Sequence, residues 1–210
     1  MSLSLDGFAG GPNGELKWLF AEDLSRDATQ WALKRLWKAS LHLMGRRTYH
    51  DMAAWWPTSK EVFAAPMNEI PKAVFSRRGL GLRDPLTTTA ALRDARVAGR
   101  GTQGATPTTT VQDSWLHPRV CTGNLTNEIE RLKRGTGKPL IAHGGAGFAR
   151  ALIKTGLIDE FWLLFYPVAL GIGLPIFSEL SKPLRLQLVE SISFKCGVVA
   201  QIYKVKKSGR

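Results

Sequence analysis

LIAHGGAGFARAL, residues 140–152, places an apolar run, two glycines and an amphipathic run in direct succession. This order predicts a buried strand, a tight turn and a helix. Gly144 and Gly145 then lie at the start of the helix, where unpaired backbone amides and the helix dipole attract phosphate. The stretch predicts an α/β unit whose turn is suited to an anionic ligand.

The composition predicts one globular domain, spanning residues 1–210, with an anionic partner. The 210 residues are 44% apolar, which is enough for one sizeable core. Lys and Arg together number 29 and Asp and Glu 17, so the formal net charge is +12. This charge favours nucleic acid, a membrane surface or a phosphorylated small molecule, and it does not choose among them.

The sequence has features that we associate with a cytoplasmic protein. Its first residues lack the basic and apolar runs of a signal peptide. Cys121 and Cys196 stand far apart without metal-ligand spacing, so we expect reduced, structural thiols and no metal. The uncharged stretch 161–177 is interrupted by Pro167 and Pro175. It therefore predicts a buried strand and a loop, and we expect no membrane association.

Short apolar runs alternate with helical patterns, which predicts an α/β fold with a largely parallel sheet. Strands are predicted at 41–44, 72–75, 118–122, 139–142 and 160–166, and helices at 27–39, 48–55, 125–132 and 147–155, the first of them capped by Asp27. The alternating stretches 184–189 and 198–205 predict a closing antiparallel hairpin. Residues from about 84 to 113 have little periodicity, so we expect an inserted flexible loop there.

Three predicted strands are each followed by residues suited to phosphate. Gly45, Arg46, Arg47 and Thr48 follow the first strand, and Ser76, Arg77 and Arg78 follow the second. Gly144 and Gly145 follow the strand that ends in His143. The carboxyl ends of parallel strands share one edge of a sheet, so one ligand could contact all three. Guanidinium groups match an isolated phosphate, and amides at a helix start match a pyrophosphate. This combination favours NADPH over NADH.

Each of these features also has an ordinary structural explanation. Paired arginines after a strand commonly form a solvated edge, and two glycines before a helix commonly form a tight turn. The stretch from Gly144 to Gly147 does not fit the G-x-G-x-x-G pattern. NADPH binding here would therefore not use a Rossmann fingerprint.

Six motifs occur in an order that resembles the dihydrofolate reductase-like superfamily: SLDGFAGGPNGELKW, LMGRRTY, AVFSRR, HGGAGFARALI, DEFWLLFYPVALGIGLPIF and SFKCGVVAQIYKV. The chain is most similar to stand-alone relatives of the reductase domain in the bifunctional riboflavin-biosynthesis deaminase-reductase. The resemblance covers nearly the whole chain except about 84–113. It implies a mixed, mostly parallel central sheet flanked by helices, with a C-terminal antiparallel hairpin. It also implies a homodimer that reduces a pteridine-like or pyrimidine-like small molecule with NADPH.

The resemblance carries over a set of cofactor-binding residues, namely Gly45, Arg46, Arg47, Thr48, Ser76, Arg77, His143, Gly144, Gly145 and Ala146. It places Asp6 in a turn beside the nicotinamide and matches Trp18 to a tryptophan of the riboflavin-type reductases. The loop that carries both could close over the reacting ring and exclude water. A buried core aromatic is an equal alternative for Trp18.

The proton donor is open at this point. Folate reductases use a carboxylic acid of the first helix, and Asp27 and Asp23 are the candidates, although each also fits a helix cap or a surface charge. His143 replaces an acid expected in the riboflavin-pathway enzymes, and its ordinary titration range suits proton transfer or a structural hydrogen bond. Water is the remaining source of the proton.

Two other functions remain as alternatives. The predicted first strand is shorter than the resemblance implies, which leaves a nucleotide-binding protein without catalysis. The net charge of +12 motivates nucleic-acid binding. That partner is disfavoured because the charges are spread along the chain and the aromatic residues lie in apolar runs.

Overall fold

The computed structural model describes residues 1–21, 23–81, 89–98, 114–135 and 137–206. Its strands are β1 (Ser2–Leu3), β2 (Leu41–Gly45), β3 (Lys72–Phe75), β4 (Arg119–Cys121), β5 (Leu140–Ala142), β6 (Glu160–Phe165), β7 (Leu186–Ser193) and β8 (Val199–Val205). Its helices are α1 (Lys17–Phe20), α2 (Arg26–Leu36), α3 (Arg46–Ala53), α4 (Ala64–Glu69), α5 (Ala90–Val97), α6 (Leu125–Gly135) and α7 (Ala146–Lys154), with a 3-10 turn at Trp56–Thr58.

Two four-stranded sheets form from the described strands. One has the order β4-β3-β2-β5 with every neighbouring pair parallel. The other has the order β1-β6-β8-β7, in which β1 and β6 are parallel and the hairpin β7-β8 is antiparallel. The α/β fold, its parallel sheet and its closing hairpin are thus confirmed.

The parallel sheet is buried on both faces because side chains alternate along each strand. Leu43 and Ala73 face α6 and α7, in a core that includes Ile129 and Leu152. Their neighbours Met44 and Val74 belong to the core on the opposite face, with Tyr49, Met67 and Trp115. The near-continuous apolar composition of these strands follows from this double coverage.

The order of the strands places a topological switch point between β2 and β5. From β2 the chain adds β3 and then β4 on one side, and it then crosses to add β5 on the other side of β2. Ligands of open α/β sheets bind outside the carboxyl ends of the strands at such a point. The turn after β2 and the turn after β5 therefore flank the candidate site.

Two local predictions need correction. Ser25, and not Asp27, occupies the N-cap position of α2, and Asp27 lies in its first turn. The described part of the expected loop at 84–113 contains α5, whose Thr89 side chain accepts a hydrogen bond from the amide of Leu92. This cap, the burial of one face of α5 and the helix-forming Ala, Leu and Arg residues of AALRDARV together order the segment. Residues 84–88 and 99–113 lie outside the described residues.

Candidate functional site

The ends of β2 and β5 are in direct contact. The hydroxyl of Thr48, in the first turn of α3, donates a 3.0 Å hydrogen bond to the carbonyl oxygen of Gly144. One residue earlier, the amide of His143 donates to the carbonyl oxygen of Leu43 at 2.8 Å, which continues the pairing of β5 with β2. Residues that are far apart in the sequence are thus neighbours at the switch point.

The segment after β3 reaches the same edge. A guanidinium nitrogen of Arg46 lies 3.4 Å from the carbonyl oxygen of Leu80 and donates a hydrogen bond to it. The ring of His50, one turn along α3, contacts the same oxygen at 3.2 Å. The strand ends after β2, β3 and β5 therefore form one continuous rim, which we call the strand-end rim: residues 45–48, 76–81 and 143–146.

A left-handed glycine shapes the turn in this rim. Gly145 has a φ of +87° and occupies the N-cap position of α7. A Cβ at this position would lie 2.6 Å from the Thr48 hydroxyl oxygen. A side chain here would both strain the backbone and fill the space against α3. Gly145 has no side chain to cap α7, so the first amides of the helix, beginning at Ala146, have no partner within it.

The rim carries four exposed arginines, which follow β2 and β3. The Ser76 hydroxyl donates to the carbonyl oxygen of Gly79, which closes the turn after β3. Arg77 and Arg78 are exposed on this turn, as are Arg46 and Arg47 at the start of α3. Exposed guanidinium groups at the ends of two adjacent strands are suited to binding a phosphate from solvent.

Two histidines lie side by side at the rim, His42 fully buried and His143 half-buried. His42 on β2 is 0% exposed, and its ring centroid is 4.4 Å from that of His143. Within the described part of the chain, neither ring nitrogen of His42 has a hydrogen-bond partner, nor does Nε2 of His143. Burial is the main cause that lowers the pKa of His42 to about 2 and that of His143 to about 3. Both rings are therefore neutral at pH 7.

Lys72 on β3 is paired with His42 in the sheet register. Together with the two histidines it forms a row of three polar side chains across the sheet. It is 2% exposed, and burial lowers the pKa of its ammonium group to about 7. Its Nζ donates to the carbonyl oxygen of Asn68 at 3.1 Å and to the Ser114 hydroxyl at 2.7 Å. It also lies 4.3 Å from the ring centroid of Trp115. No feature of the sequence analysis singled out His42 or Lys72, because each lies in an otherwise ordinary strand.

The carboxylate of Asp6 ties two loops together. It accepts hydrogen bonds from the amides of Leu170 and Gly171 and from the Ser4 hydroxyl. The Ser4 hydroxyl and the two amides lower the pKa of Asp6 despite some desolvation. Asp6 is thus ionised at neutral pH and connects the segment after β1 to the segment after β6.

Asp27 and Trp18 lie on the side of the second sheet. The Ser25 hydroxyl and the Ala28 amide donate hydrogen bonds to the exposed carboxylate of Asp27. These bonds lower the pKa of Asp27, and the bond from Ser25 is the largest cause. Trp18 packs edge-on against Tyr166 with ring centroids 5.5 Å apart, and its buried Nε1 has no partner among the described residues. No described contact joins either residue to the strand-end rim, so their predicted catalytic roles stay predictions.

The parallel sheet, its rim of glycines and arginines and the closing hairpin define an α/β domain with a candidate phosphate-binding edge. The RibD C-terminal domain family matches residues 1–200. The chain belongs to this family, and its membership supports a pyrimidine reductase-like function. The resemblance inferred from the six motifs is confirmed at this level.

Individual proteins with a similar sequence or the same fold are also found. The chain is 38% identical over 80 residues to YyaP, an uncharacterized protein of Bacillus subtilis (strain 168). The match covers 38% of this chain and 43% of YyaP, so it spans less than half of that relative. A protein of Shewanella sp. PV-4 whose name connects it with riboflavin biosynthesis has a similar structure, with a TM-score of 0.67, 20% identity and coverage of 99% of this chain and 97% of the other. A pyrimidine reductase-like protein of Corynebacterium diphtheriae gives a TM-score of 0.59 at 16% identity, with 99% and 90% of the two chains covered.

Among the described residues, no helix is both long and apolar enough to cross a lipid bilayer, and no cluster of three or more metal-ligating side chains occurs. Cys121 and Cys196 are both free thiols.

Proposed function

We propose that the protein is an NADPH-dependent reductase of a pteridine-like or pyrimidine-like small molecule. The observation that carries this proposal is the hydrogen bond from Thr48 to Gly144 at the switch point of the parallel sheet. It brings the glycine turn after β5 against the arginine-bearing start of α3. Family membership supports the reductase chemistry, and the rim supports the choice of cofactor.

The residues of the rim fit a dinucleotide phosphate. Gly145 has no side chain, so the chain can turn tightly against the Thr48 hydroxyl and into α7, whose first backbone amides have no partner within the helix. These amides would hold the pyrophosphate. Arg46 and Arg77 would hold the phosphate on the ribose, since a guanidinium group offers paired donors to phosphate oxygens. This phosphate distinguishes NADPH from NADH. The Ser76 hydroxyl donates its one hydrogen to Gly79, so its part in our proposal is to shape the turn that carries Arg77.

When bound, NADPH supplies the hydride, and the protein supplies position and solvent exclusion. In our proposal the neutral ring of His143, next to the glycine turn, contributes a hydrogen bond to the substrate without contributing charge. Asp6 and Asp27 are held in their ionised forms, so neither is suited to donate a proton at neutral pH. We therefore assign the proton to water and assign Asp6 to holding the loops around the site.

The proposed assembly is a cytoplasmic homodimer. Leu188 and Val189 on the edge strand β7 are 51% and 52% exposed, and an apolar edge of this kind is suited to contact with a second copy. Light scattering after size exclusion tests the dimer, and replacement of both residues by Lys should then produce a monomer.

A cofactor titration tests the function. Arg46→Ala and Arg77→Ala should each raise the Kd for NADPH about tenfold or more, as expected for loss of a charge-assisted hydrogen bond, and should leave the weaker NADH binding nearly unchanged. Arg134→Ala, which removes an exposed arginine at the far end of α6, is the matched control. Absence of NADPH binding by the unaltered protein would refute the proposal.

Turnover separates catalysis from binding alone. NADPH oxidation should be followed with dihydrofolate and with the ribosylamino-pyrimidinone of riboflavin synthesis. Oxidation with either one identifies the substrate class. Tight NADPH binding together with no oxidation of NADPH by any pteridine or pyrimidine acceptor would support the alternative, a nucleotide-binding protein without catalysis.

A further inference from the structure

Helix α5 is attached to the helix that carries the rim arginines. The Thr89 hydroxyl, at the N-cap of α5, donates a 2.8 Å hydrogen bond to the carboxylate of Asp51 on α3. Leu92 and Ala95 are 3% and 7% exposed and pack in one cluster with Trp55, which follows α3. Burial of this apolar face fixes α5 against the α3 side of the site.

The buried side of α5 also contacts the segment that follows β1. Asp94 is 4% exposed, and its Oδ2 accepts a 2.7 Å hydrogen bond from the amide of Leu16, the residue before α1. On the exposed side, the Asn13 side chain and, more weakly, the charge of Arg93 lower the pKa of Glu15. The adjacent residues Arg93 and Asp94 of α5 therefore interact with the adjacent residues Glu15 and Leu16 of this segment.

The contact with Asp94 matters because the other hydrogen bonds of residues 11–15 are made within the segment. Packing into the apolar clusters begins only beyond them, at Trp18, Leu19 and Phe20. Residues 10–14 read GGPNG and bring no large apolar side chain. Their first end is held by the hydrogen bonds between Ala9 and Leu174 and between Leu174 and Gly10. Beyond their other end, the amide of Leu16 bonds Asp94. The Asp94 carboxylate lies at the N-terminus of α1, where the helix dipole favours a negative charge. A buried carboxylate is costly unless it is bonded, so the Leu16 amide and Asp94 stabilise each other.

We propose that Asp94 is a positioning residue that holds residues 10–20 in the conformation required for reduction, which makes α5 part of the working site. This inference rests on the proposed function and on the expectation that the loop carrying Asp6 and Trp18 closes over the reacting ring. Through Asp51 and Asp94 together, α5 sets the position of the segment relative to the rim arginines on α3.

Hydrogen exchange tests the contact independently of activity. In the unaltered protein the Leu16 amide should exchange at least about tenfold more slowly than an unstructured amide, because it is bonded to a buried carboxylate. Asp94→Ala should remove most of this protection while amides of β6 and β8 keep theirs. Asp94→Asn, which retains an oxygen acceptor, should restore part of it, and Arg96→Ala on the exposed face of α5 should have no effect.

Kinetics then test the positioning role. Asp94→Ala should lower kcat about tenfold or more, the equivalent of one lost charge-assisted hydrogen bond, and leave the Kd for NADPH within about twofold. Asp94→Asn should recover part of kcat. An unchanged kcat, or a Kd for NADPH that rises in parallel with the loss of kcat, would overturn the proposal.

The outcomes separate this inference from the proposed function. If the unaltered protein oxidises no NADPH, the reductase proposal fails and the positioning role falls with it, while the Leu16 exchange rate still decides whether Asp94 holds the segment. If Asp94→Ala does not fold, Asp94→Asn and the unaltered protein supply both measurements. An unprotected Leu16 amide in the unaltered protein would overturn the inference by itself.

Discussion

The Thr48 hydroxyl donates its hydrogen bond to the Gly144 carbonyl oxygen across 96 residues of sequence, at a distance of 3.0 Å. This contact joins the two strand ends that flank the switch point, and it places the left-handed Gly145 directly against α3. The shape of the rim therefore depends on a glycine that tolerates no side chain and on a hydroxyl that fills the remaining space.

Gly145→Ala should destabilise the protein by about 1–3 kcal/mol, because alanine is strained at positive φ and its Cβ would meet the Thr48 hydroxyl at 2.6 Å. Gly147→Ala is the matched control, since a Cβ there has nothing within 4 Å and lies in a helix. It should leave stability unchanged or slightly raised. Urea unfolding of both variants checks this, and equal midpoints would contradict the role given to Gly145.

Lys72 should make the protein more stable as the pH rises above 7. Burial lowers its folded-state pKa from the ordinary 10.5 to about 7, so between these values the unfolded chain binds a proton that the folded chain lacks. Stability should then increase with pH by on the order of 1 kcal/mol per unit. Unfolding curves at pH 7, 8 and 9 measure this slope. Lys72→Met keeps much of the volume and should flatten the slope, and a slope identical to that of the unaltered protein would disprove the assignment.

His42 should make the protein sensitive to acid. Its folded-state pKa of about 2 lies below the ordinary 6.5, so stability is complete above pH 6.5 and falls as the pH decreases below it. His42→Phe removes the titrating group from a site that is 0% exposed. Thermal melts at pH 7 and pH 5 should show a smaller loss for the variant. The exposed His117 offers a control, because His117→Phe should retain the acid sensitivity of the unaltered protein.

Arg35 should be sensitive even to replacement by lysine. Its guanidinium bonds both carboxylate oxygens of Glu190 at 2.8 and 2.7 Å and stacks 3.7 Å from the Trp31 ring centroid, which ties α2 to β7. Both bonds come from one nitrogen, Nη2, so a lysine at this position could still bond Glu190. Arg35→Lys keeps the charge and loses the planar group that stacks on Trp31, so we expect a loss of about 1–2 kcal/mol. Arg131→Lys, in an exposed pair with Glu128, should cost less than about 0.5 kcal/mol. Chemical denaturation of the two variants compares them, and similar losses would show that the Arg35 geometry is unimportant.

The strand ends could be predicted because their signals are local. The apolar run 140–142 and the glycines after it indicate a strand and a turn without reference to any other segment, and β3 occurs at the expected residues Lys72–Phe75. The order of the motifs was enough to recognise the family and the fold, both of which are confirmed. The predicted cofactor residues meet at one rim, while their binding roles await the titration.

Other features could not be predicted because they depend on burial at long range. The segment that forms α5 is short and lies between stretches of low periodicity, which hide its helical pattern, and its contacts with Trp55 and of Asp94 with Leu16 appear only in the fold. An aspartate at position 6 is equally suited to a catalytic role and to holding a loop, and the sequence does not separate these roles. Its hydrogen bonds from the amides of Leu170 and Gly171 indicate that it holds a loop.

The sequence by itself determined where most of the strands and the longer helices form and which glycines and arginines follow them, since backbone conformation and side-chain periodicity are properties of short segments. Only the tertiary structure decided that these turns share an edge, that His42, His143 and Lys72 form a polar row, and that α5 reaches the segment after β1. Pairing across the sheet and desolvation in the core depend on which distant segments meet, and that information does not reside in any one stretch of the chain.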